Sequence, residues 1–366
     1  MAPLVEQRLN VAPNTTIPIT IQAEIRLKVE SHDSPRPTKA DPFLESDRAL
    51  LADGEKKDLL SVAARSDLTE SIGTVLSGTQ LTTLSQQQLD ELALLVSERG
   101  VVFLRQQDFH PDDQVRALQR LGELHKGSTT RHDSAPARLT LEQQDQWHSD
   151  ASFERNPPSY SLLNVEDTPE FGGDAAWVSQ YGLYDELSAH MKGFLQGLHA
   201  VHSSQDGSSP VISHHPAVRT HPVTGLKALN VTPGFVTGFA ELKKKESDNL
   251  LGYLSNQIDS EIQHIVRWKW EPGCAVIWDN RCTAYRAIPS TYAGRRTSAR
   301  TAIVGEKPYL NPESESRAER AQRYAKQEED ERERLAIQKR YNNTPLRRIL
   351  AQQVLGMRRR FLSPPS

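Results

Sequence analysis

From about residue 145 to Pro308 the chain is a succession of short apolar, β-branched or aromatic runs broken by Gly and Pro turns. No other feature constrains the fold as much. The runs are SYSLLNVED, DAAWVSQ, AVHSS, AVRTHPVTG, KALNV, IVRWKWEPGCAVIWDN and SARTAIVGEKP. Their length, composition and spacing predict an antiparallel β-sandwich or jelly roll. Two helical segments interrupt them, QYGLYDELSAHMKGFLQGL and KKKESDNLLGYLSNQI. Ahead of them, SQQQLDELALLVSERG carries apolar residues at helical spacing, with Ser85 as N-cap and Gly100 as stop. VVFLR then reads as a buried strand, and DFHPDDQVRALQRLGEL as a second capped helix. The expected class is mainly β with α, a jelly-roll core flanked by helices.

The flanks differ in character. Residues 1–57 are expected to form a partly disordered extension, because SHDSPRPTKADP has the composition of a linker. One weak strand, ITIQAEIRLKV, precedes that linker. The main domain is expected over 58–310. In the third segment, 311–366, ESESRAERAQRYAKQEEDERERLAIQKR mixes both charge signs and reads as a solvated helix with i,i+4 ion pairs. TPLRRILAQQVLGMRRRF after it is basic and amphipathic; it can dock on a membrane surface, on a partner or on its own domain.

Bulk properties exclude several classes. The net charge of -3 gives no pull toward nucleic acid. No apolar run approaches the ~18 residues of a membrane-spanning helix, and the N-terminus lacks the pattern of a secretory signal. Only two cysteines are present, Cys274 and Cys282. That excludes a disulfide framework and favours a reducing, cytoplasmic location. The pair is expected to be free buried thiols, with pairing across neighbouring strands as the alternative.

His148 and Asp150 stand two apart, a spacing that puts both side chains on one face of a strand. An imidazole and a carboxylate with open positions suit iron(II) better than zinc. Alone, His-x-Asp recurs by chance, so its surroundings decide. WHSDASFERNPPSYSLLNVEDTPEFGGDAAWVS holds Pro157-Pro158 and Phe171-Gly172-Gly173-Asp174. His221-Pro222-Val223-Thr224-Gly225, Asn230-Val231 and Pro233-Gly234-Phe235 follow, then WEPGCAVIWDNRCTAYRAIP. In this order, from about Leu89 to Pro308, the chain resembles the iron(II)- and 2-oxoglutarate-dependent dioxygenases of the taurine/sulfonate dioxygenase (TauD/TfdA) family. The resemblance implies a double-stranded β-helix, iron(II) held by His148 and Asp150, 2-oxoglutarate as co-substrate, O2, and a small acidic substrate such as a sulfonate. It also admits a homo-oligomer.

Two positions depart from the family pattern. Tyr285 stands where the family has its distal metal-ligand histidine. A phenol has a pKa of ~10 and must lose its proton to bind metal well, whereas neutral imidazole is ready near pH 7. Ala175 stands where the family commonly has a threonine that helps hold 2-oxoglutarate. Arg296, eleven residues after Tyr285, matches the arginine that grips the distal carboxylate of 2-oxoglutarate. Arg300 matches the arginine near the substrate's acidic group, and Phe235 is a candidate for the substrate cavity wall. In an active dioxygenase Tyr285 or a water then takes the third ligand position; in a degenerate, non-oxidative homologue with impaired iron binding Tyr285 is the acid or base. A third reading, an interaction protein working through its charged C-terminal segment, uses none of these residues.

Overall fold

Among the described residues, fifteen strands are built from the runs above and from short segments before and between them. The computed structural model describes Phe43 and residues 46–108, 110–126, 130–133, 146–204, 210–288 and 297–342. The chain divides into two units, Met1–Pro35 and Arg36–Ser366, and every described residue lies in the second. ITIQAEIRLKV, TPLRRILAQQVLGMRRRF and Arg296 lie outside the described residues. In chain order the strands begin β1 (Ala64–Asp67), β2 (Thr74–Ser77), β3 (Val101–Leu104), β4 (Thr130–Asp133), β5 (Pro158–Asp167), β6 (Ala175–Ser179), β7 (His199–Ser203) and β8 (Ile212–Pro216). They continue β9 (Val218–Thr220), β10 (Lys227–Leu229), β11 (Val236–Phe239), β12 (Ile265–Trp268), β13 (Cys274–Asp279), β14 (Thr283–Ala287) and β15 (Thr297–Val304).

The largest sheet has the order β1-β2-β3-β13-β5-β15-β4. Its β2–β3 pair is parallel; the other pairs in it are antiparallel. Two three-stranded sheets, β12-β6-β14 and β11-β7-β8, and the β9–β10 pair make up the rest. The β12-β6-β14 sheet faces the largest one through aromatic side chains. Trp177 of β6 meets Phe103 of β3 and Trp278 of β13 at ring-centroid distances of 5.3 and 5.9 Å. Phe103 also stacks on Trp268 of β12 at 4.0 Å. Such pairs add about 0.5–1.5 kcal/mol each beyond area burial. The four tryptophans of these runs are all buried, as aromatic residues in strands of a sandwich should be.

Helices cover the sheets from outside. Helices α1 (Lys57–Val62), α2 (Gln86–Arg99) and α3 (Pro111–Gln119) precede the strand-rich part of the chain. Leu89, Leu92 and Val96 of α2 pack with Val102, Leu104 and Ile277 of the largest sheet. Ser85 caps α2 in a box with Gln88, and Gly100 ends it at φ 75°. A Cβ at Gly100 would lie 2.6 Å from Thr283 Cγ2, so glycine lets the start of β14 approach the helix end. The run QYGLYDELSAHMKGFLQGL, expected as one helix, is two: α4 (Gln180–Asp185) and α5 (Ala189–Leu195). The cause is Ser188, whose hydroxyl accepts from Met191 N at 3.3 Å and starts a new helix. With α6 (Lys244–Ser260), these helices bury Leu183, Leu195 and Leu254 against Val178, Ala200 and Val236.

Both flanks are anchored where they are described. Asp47 caps a short 3-10 helix, Arg48–Leu51, by accepting from Ala49 N at 2.9 Å. Arg48 pairs with Asp90 of α2 at 2.6 Å. So the segment just before residue 58, which composition assigned to a loose extension, is pinned by charge. Helix α7 (Arg317–Asn342) docks by its first turns: Arg317 donates to Ser71 O at 2.6 Å and Arg320 to Thr224 O at 2.7 Å. From Glu319 the helix alternates little with burial, and residues 321–339 are exposed, with an Arg332–Glu328 i,i+4 pair. Cys274 and Cys282 are free and buried. Among the described residues no helix is long and apolar enough to cross a membrane.

Asp47 also reaches Arg281, its Oδ2 lying 2.6 Å from Nη1 with both side chains buried. Asp47→Ala removes this charge-assisted bond and a helix cap, and we expect a loss of about 2–3 kcal/mol in urea unfolding. A loss below about 0.5 kcal/mol would mean that this contact contributes no more than an ordinary surface pair.

Candidate active site

His148 and Tyr285 lie directly opposite one another in a single antiparallel bridge. His148 N donates to Tyr285 O at 3.0 Å, and Tyr285 N donates to His148 O at 2.8 Å. Residues that exchange both backbone bonds point their side chains to the same side. The imidazole and the phenol ring are therefore neighbours, 4.5 Å apart between centroids. Trp147 braces this approach. Its Nε1 donates to Asp259 Oδ1 at 2.9 Å, and Arg286 of β14 lies over its ring at 4.6 Å. Gly234 closes the other side, since a Cβ there would come within 2.8 Å of His148 Cβ. The expectation that His148 and Asp150 share a regular strand is not met. His148 makes one bridge only, and Asp150 begins a turn that continues through Ala151 at φ 43°.

Asp150 is nonetheless held firmly. Its N donates to Asn280 Oδ1 at 3.1 Å. Asn280 in turn donates to Ser161 Oγ at 2.9 Å, and Ser161 Oγ donates to Asp150 Oδ2 at 2.7 Å. The second oxygen, Oδ1, accepts a short bond from Arg300 Nη1. Arg300 of β15 and Ser161 of β5 reach the same carboxylate because Ala302, two residues along from Arg300, is the register partner of Ser161. The guanidinium also engages Tyr285. Burial opposes its charge, but Asp150 and then Tyr285 more than offset that, so its pKa is raised. The four groups (imidazole, carboxylate, phenol and guanidinium) thus gather at one place.

His148 has a defined tautomer. Nδ1 lies 2.8 Å from the Gln146 carbonyl oxygen, an acceptor only, so Nδ1 carries the proton. Nε2 is then the lone-pair nitrogen, and it is buried with no protein partner. Burial lowers the imidazole pKa, against the pull of Asp150, and keeps the ring neutral. Phe235 meets this ring edge to face at 5.7 Å, and Phe153 in turn meets Phe235 at 5.0 Å. Ala175 heads β6 opposite Ala287, while Tyr285 is opposite Trp177. Ala175 therefore shares the sheet face of Tyr285 and brings no side-chain donor to it.

Several other histidines have partners elsewhere. His199 pairs with Glu241 at 2.7 Å, and His264 contacts Ser71 and Glu186. His214 and His215 lie on strand β8. His221, Asp279 and Cys282 cluster closely enough to hold a cation. Yet His221 Nδ1 accepts from Val223 N and Thr224 N, its Nε2 lies 2.9 Å from Asp279 Oδ2, and Arg281 grips both Asp279 oxygens. Burial works against the Asp279 charge, but Arg281 and His221 drive its pKa far below the carboxylate range. The cluster is a closed ion network. Sequence reasoning missed Ser161, because a serine inside a strand run carries no signal until its register partner is known.

Known proteins resemble this chain in sequence and in fold. The model of the family "Taurine catabolism dioxygenase TauD, TfdA family" matches residues 64–302. An alpha-ketoglutarate-dependent sulfonate dioxygenase of Saccharomyces cerevisiae is 35% identical over 279 residues, 66% of this chain and 68% of that protein. The crystal structure of a taurine dioxygenase from Burkholderia xenovorans superposes with a TM-score of 0.61 at 29% identity, covering 70% of this chain and 95% of that one. AAD-2, solved in complex with Mn(II) and N-oxalylglycine, shares the fold at TM-score 0.62 and 21% identity, covering 68% of this chain and all of that one.

Beside the site, His202 and His215 lie 5.1 Å apart between ring centroids, both buried. Burial lowers both; His215 falls to about 4, below its ordinary 6.5. A depressed folded value leaves stability intact above pH 6.5 and removes it as pH falls toward 4, because unfolded imidazole takes up the proton first. For His215 the gap from 6.5 to about 4 corresponds to roughly 3 kcal/mol. Urea unfolding across this window should show a steep decline that His215→Gln flattens; equal slopes for both proteins would refute the assignment.

Proposed function

The chain belongs to the TauD/TfdA family of dioxygenases, and from that premise we propose that it is a 2-oxoglutarate-dependent dioxygenase that uses iron(II), held by His148 and Asp150, to oxidise a small acidic substrate. One observation carries the metal assignment. His148 Nε2 is a buried lone pair with no protein partner, beside a carboxylate, with the opposite nitrogen pinned to a carbonyl. This is the ligand-ready tautomer. The donor set, one neutral imidazole and one carboxylate with a phenol in the third protein position, fits a hard or borderline divalent cation. When bound, iron supplies the coupling of O2 reduction to decarboxylation of 2-oxoglutarate and oxidation of the substrate.

The protein's own contribution is positioning and exclusion of water. The Ser161–Asn280 pair fixes Asp150. Phe235 and Phe153 form an apolar wall beside His148. We assign Arg296 to the distal carboxylate of 2-oxoglutarate and Arg300 to the acidic group of the substrate, a sulfonate or carboxylate. A guanidinium suits both tasks through paired N–H donors. Ala175 leaves the co-substrate one hydroxyl short of the family pattern, so Arg296 carries more of that binding.

A second reading is a non-oxidative homologue in which Tyr285 acts as acid or base. The observation favouring it is that Arg300 engages both Tyr285 and Asp150, which neutralises the carboxylate without a metal. The two readings diverge in a direct assay. Under the first, purified protein with iron(II), 2-oxoglutarate and O2 releases succinate, and Asp150→Ala abolishes it. No succinate with a panel of sulfonates and aryloxy acids in excess would favour the second.

Replacing the phenol by imidazole restores a nitrogen donor. Tyr285→His should bind iron(II) at least about tenfold more tightly in an anaerobic titration that follows the visible charge-transfer band with 2-oxoglutarate present. Equal affinity in the two proteins would remove Tyr285 from the metal's surroundings.

A further inference from the structure

We propose that Arg300 is a latch on the metal site, so that a divalent cation and an acidic ligand bind cooperatively. The inference rests on the metal-dependent reading above and adds a linkage to it. Both oxygens of Asp150 are engaged: Oδ2 by Ser161 and Oδ1 by Arg300 Nη1. The Ser161 bond is neutral and leaves the carboxylate its charge. The Arg300 bond places a full positive charge where a cation would have to meet Oδ1. Like charges at contact distance in a partly desolvated site repel strongly, so cation binding requires the guanidinium to leave.

The side chain has the means to leave. It is 26% exposed, whereas Asp150 is buried. Its Nε is buried without a hydrogen-bond partner, so the latched position does not satisfy all of its donors. An anionic ligand that takes the guanidinium pairs those donors and frees Oδ1 in one movement. Tyr285 holds the latched arrangement through its own hydrogen bond with the guanidinium. This gives the phenol a task that imidazole, which is itself protonatable, performs less well. Two sites biasing one two-position element is the condition for coupling, and the coupling is reciprocal.

The test measures Mn(II) binding to the full chain from the electron paramagnetic resonance signal of free Mn(II), with and without ethanesulfonate. Wild type should bind Mn(II) at least about fivefold more tightly once ethanesulfonate is bound. Arg300→Gln should bind Mn(II) at least about tenfold more tightly than wild type without ethanesulfonate and show no coupling. Arg300→Lys, which keeps a charge but loses the planar fork, should fall between them. Thermal unfolding of each variant confirms that it folds. If Mn(II) binds wild type and Arg300→Gln equally, or if ethanesulfonate binds wild type without changing Mn(II) affinity, the latch is wrong and the metal assignment stands. If neither wild type, Arg300→Gln nor Tyr285→His binds Mn(II), both fall together.

Discussion

The buried charge of Asp279 is the constraint on which the site depends. Its carboxylate sits at the end of β13, fully buried, and receives Arg281 N and Nε on one oxygen and Arg281 Nη2, His221 and Ser97 on the other. Its backbone N donates to Gly100 O at 2.9 Å, and its carbonyl accepts from Thr283 Oγ1 at 2.7 Å. The turn from β13 to β14 is thereby fixed to the end of α2. That fixes which residue of β14 stands opposite His148. A slip of one residue would turn Tyr285 away and present Ala284 or Arg286 instead. A buried ion network of this kind adds little to stability compared with an apolar replacement, but losing one member leaves an uncompensated charge. Its value here is geometric.

The network also ties distant parts of the chain to the same point. Arg281 reaches Asp47 in the N-terminal part and Glu306 beyond β15, and Glu306 makes a short pair with Arg219. Tyr160 of β5 lies under the Arg281 guanidinium at 4.6 Å and hydrogen-bonds Ser97. Segments far apart in sequence thus converge through charge in the interior. The candidate site, a few residues further along the chain, inherits that rigidity through Asn280, which bonds to Asp150, Ser159 and Ser161.

Much of this was legible in the sequence, for identifiable reasons. Helix α2 carries its cap, its box and its stop in local residues, and these need no tertiary information. Strands β5, β13 and β15 are almost wholly buried, because helices and a second sheet cover them, and their β-branched, aromatic and leucine-rich runs stand out. Strand β1, fully exposed, and β14, which follows a tight turn, carry no comparable run. The pairing of His148 with Tyr285 was anticipated only from the order of motifs, since a single bridge between segments more than a hundred residues apart leaves no periodic trace. The split of α4 from α5 hinged on one serine hydroxyl. The ion pair of Arg300 with Asp150 was hidden altogether. It depends on the register of β15 against β5, which no local pattern encodes.

The substitutions at Tyr285 and Ala175 make most sense when taken with Arg300 rather than singly. A site that loses a neutral nitrogen donor still holds a buried carboxylate, and a buried charge must find a partner or shift its protonation. Arg300 supplies that partner from a neighbouring strand, and the phenol oxygen supplies an acceptor for the same guanidinium. The Asp150 carboxylate therefore has a charged partner even without a cation. A histidine opposite His148 would instead set a second imidazole against the guanidinium, with no proton acceptor assured. On the proposed metal assignment, tyrosine in place of histidine moves the balance at Asp150 from the metal toward the arginine. An acidic ligand, by competing for that arginine, is the natural means of moving it back.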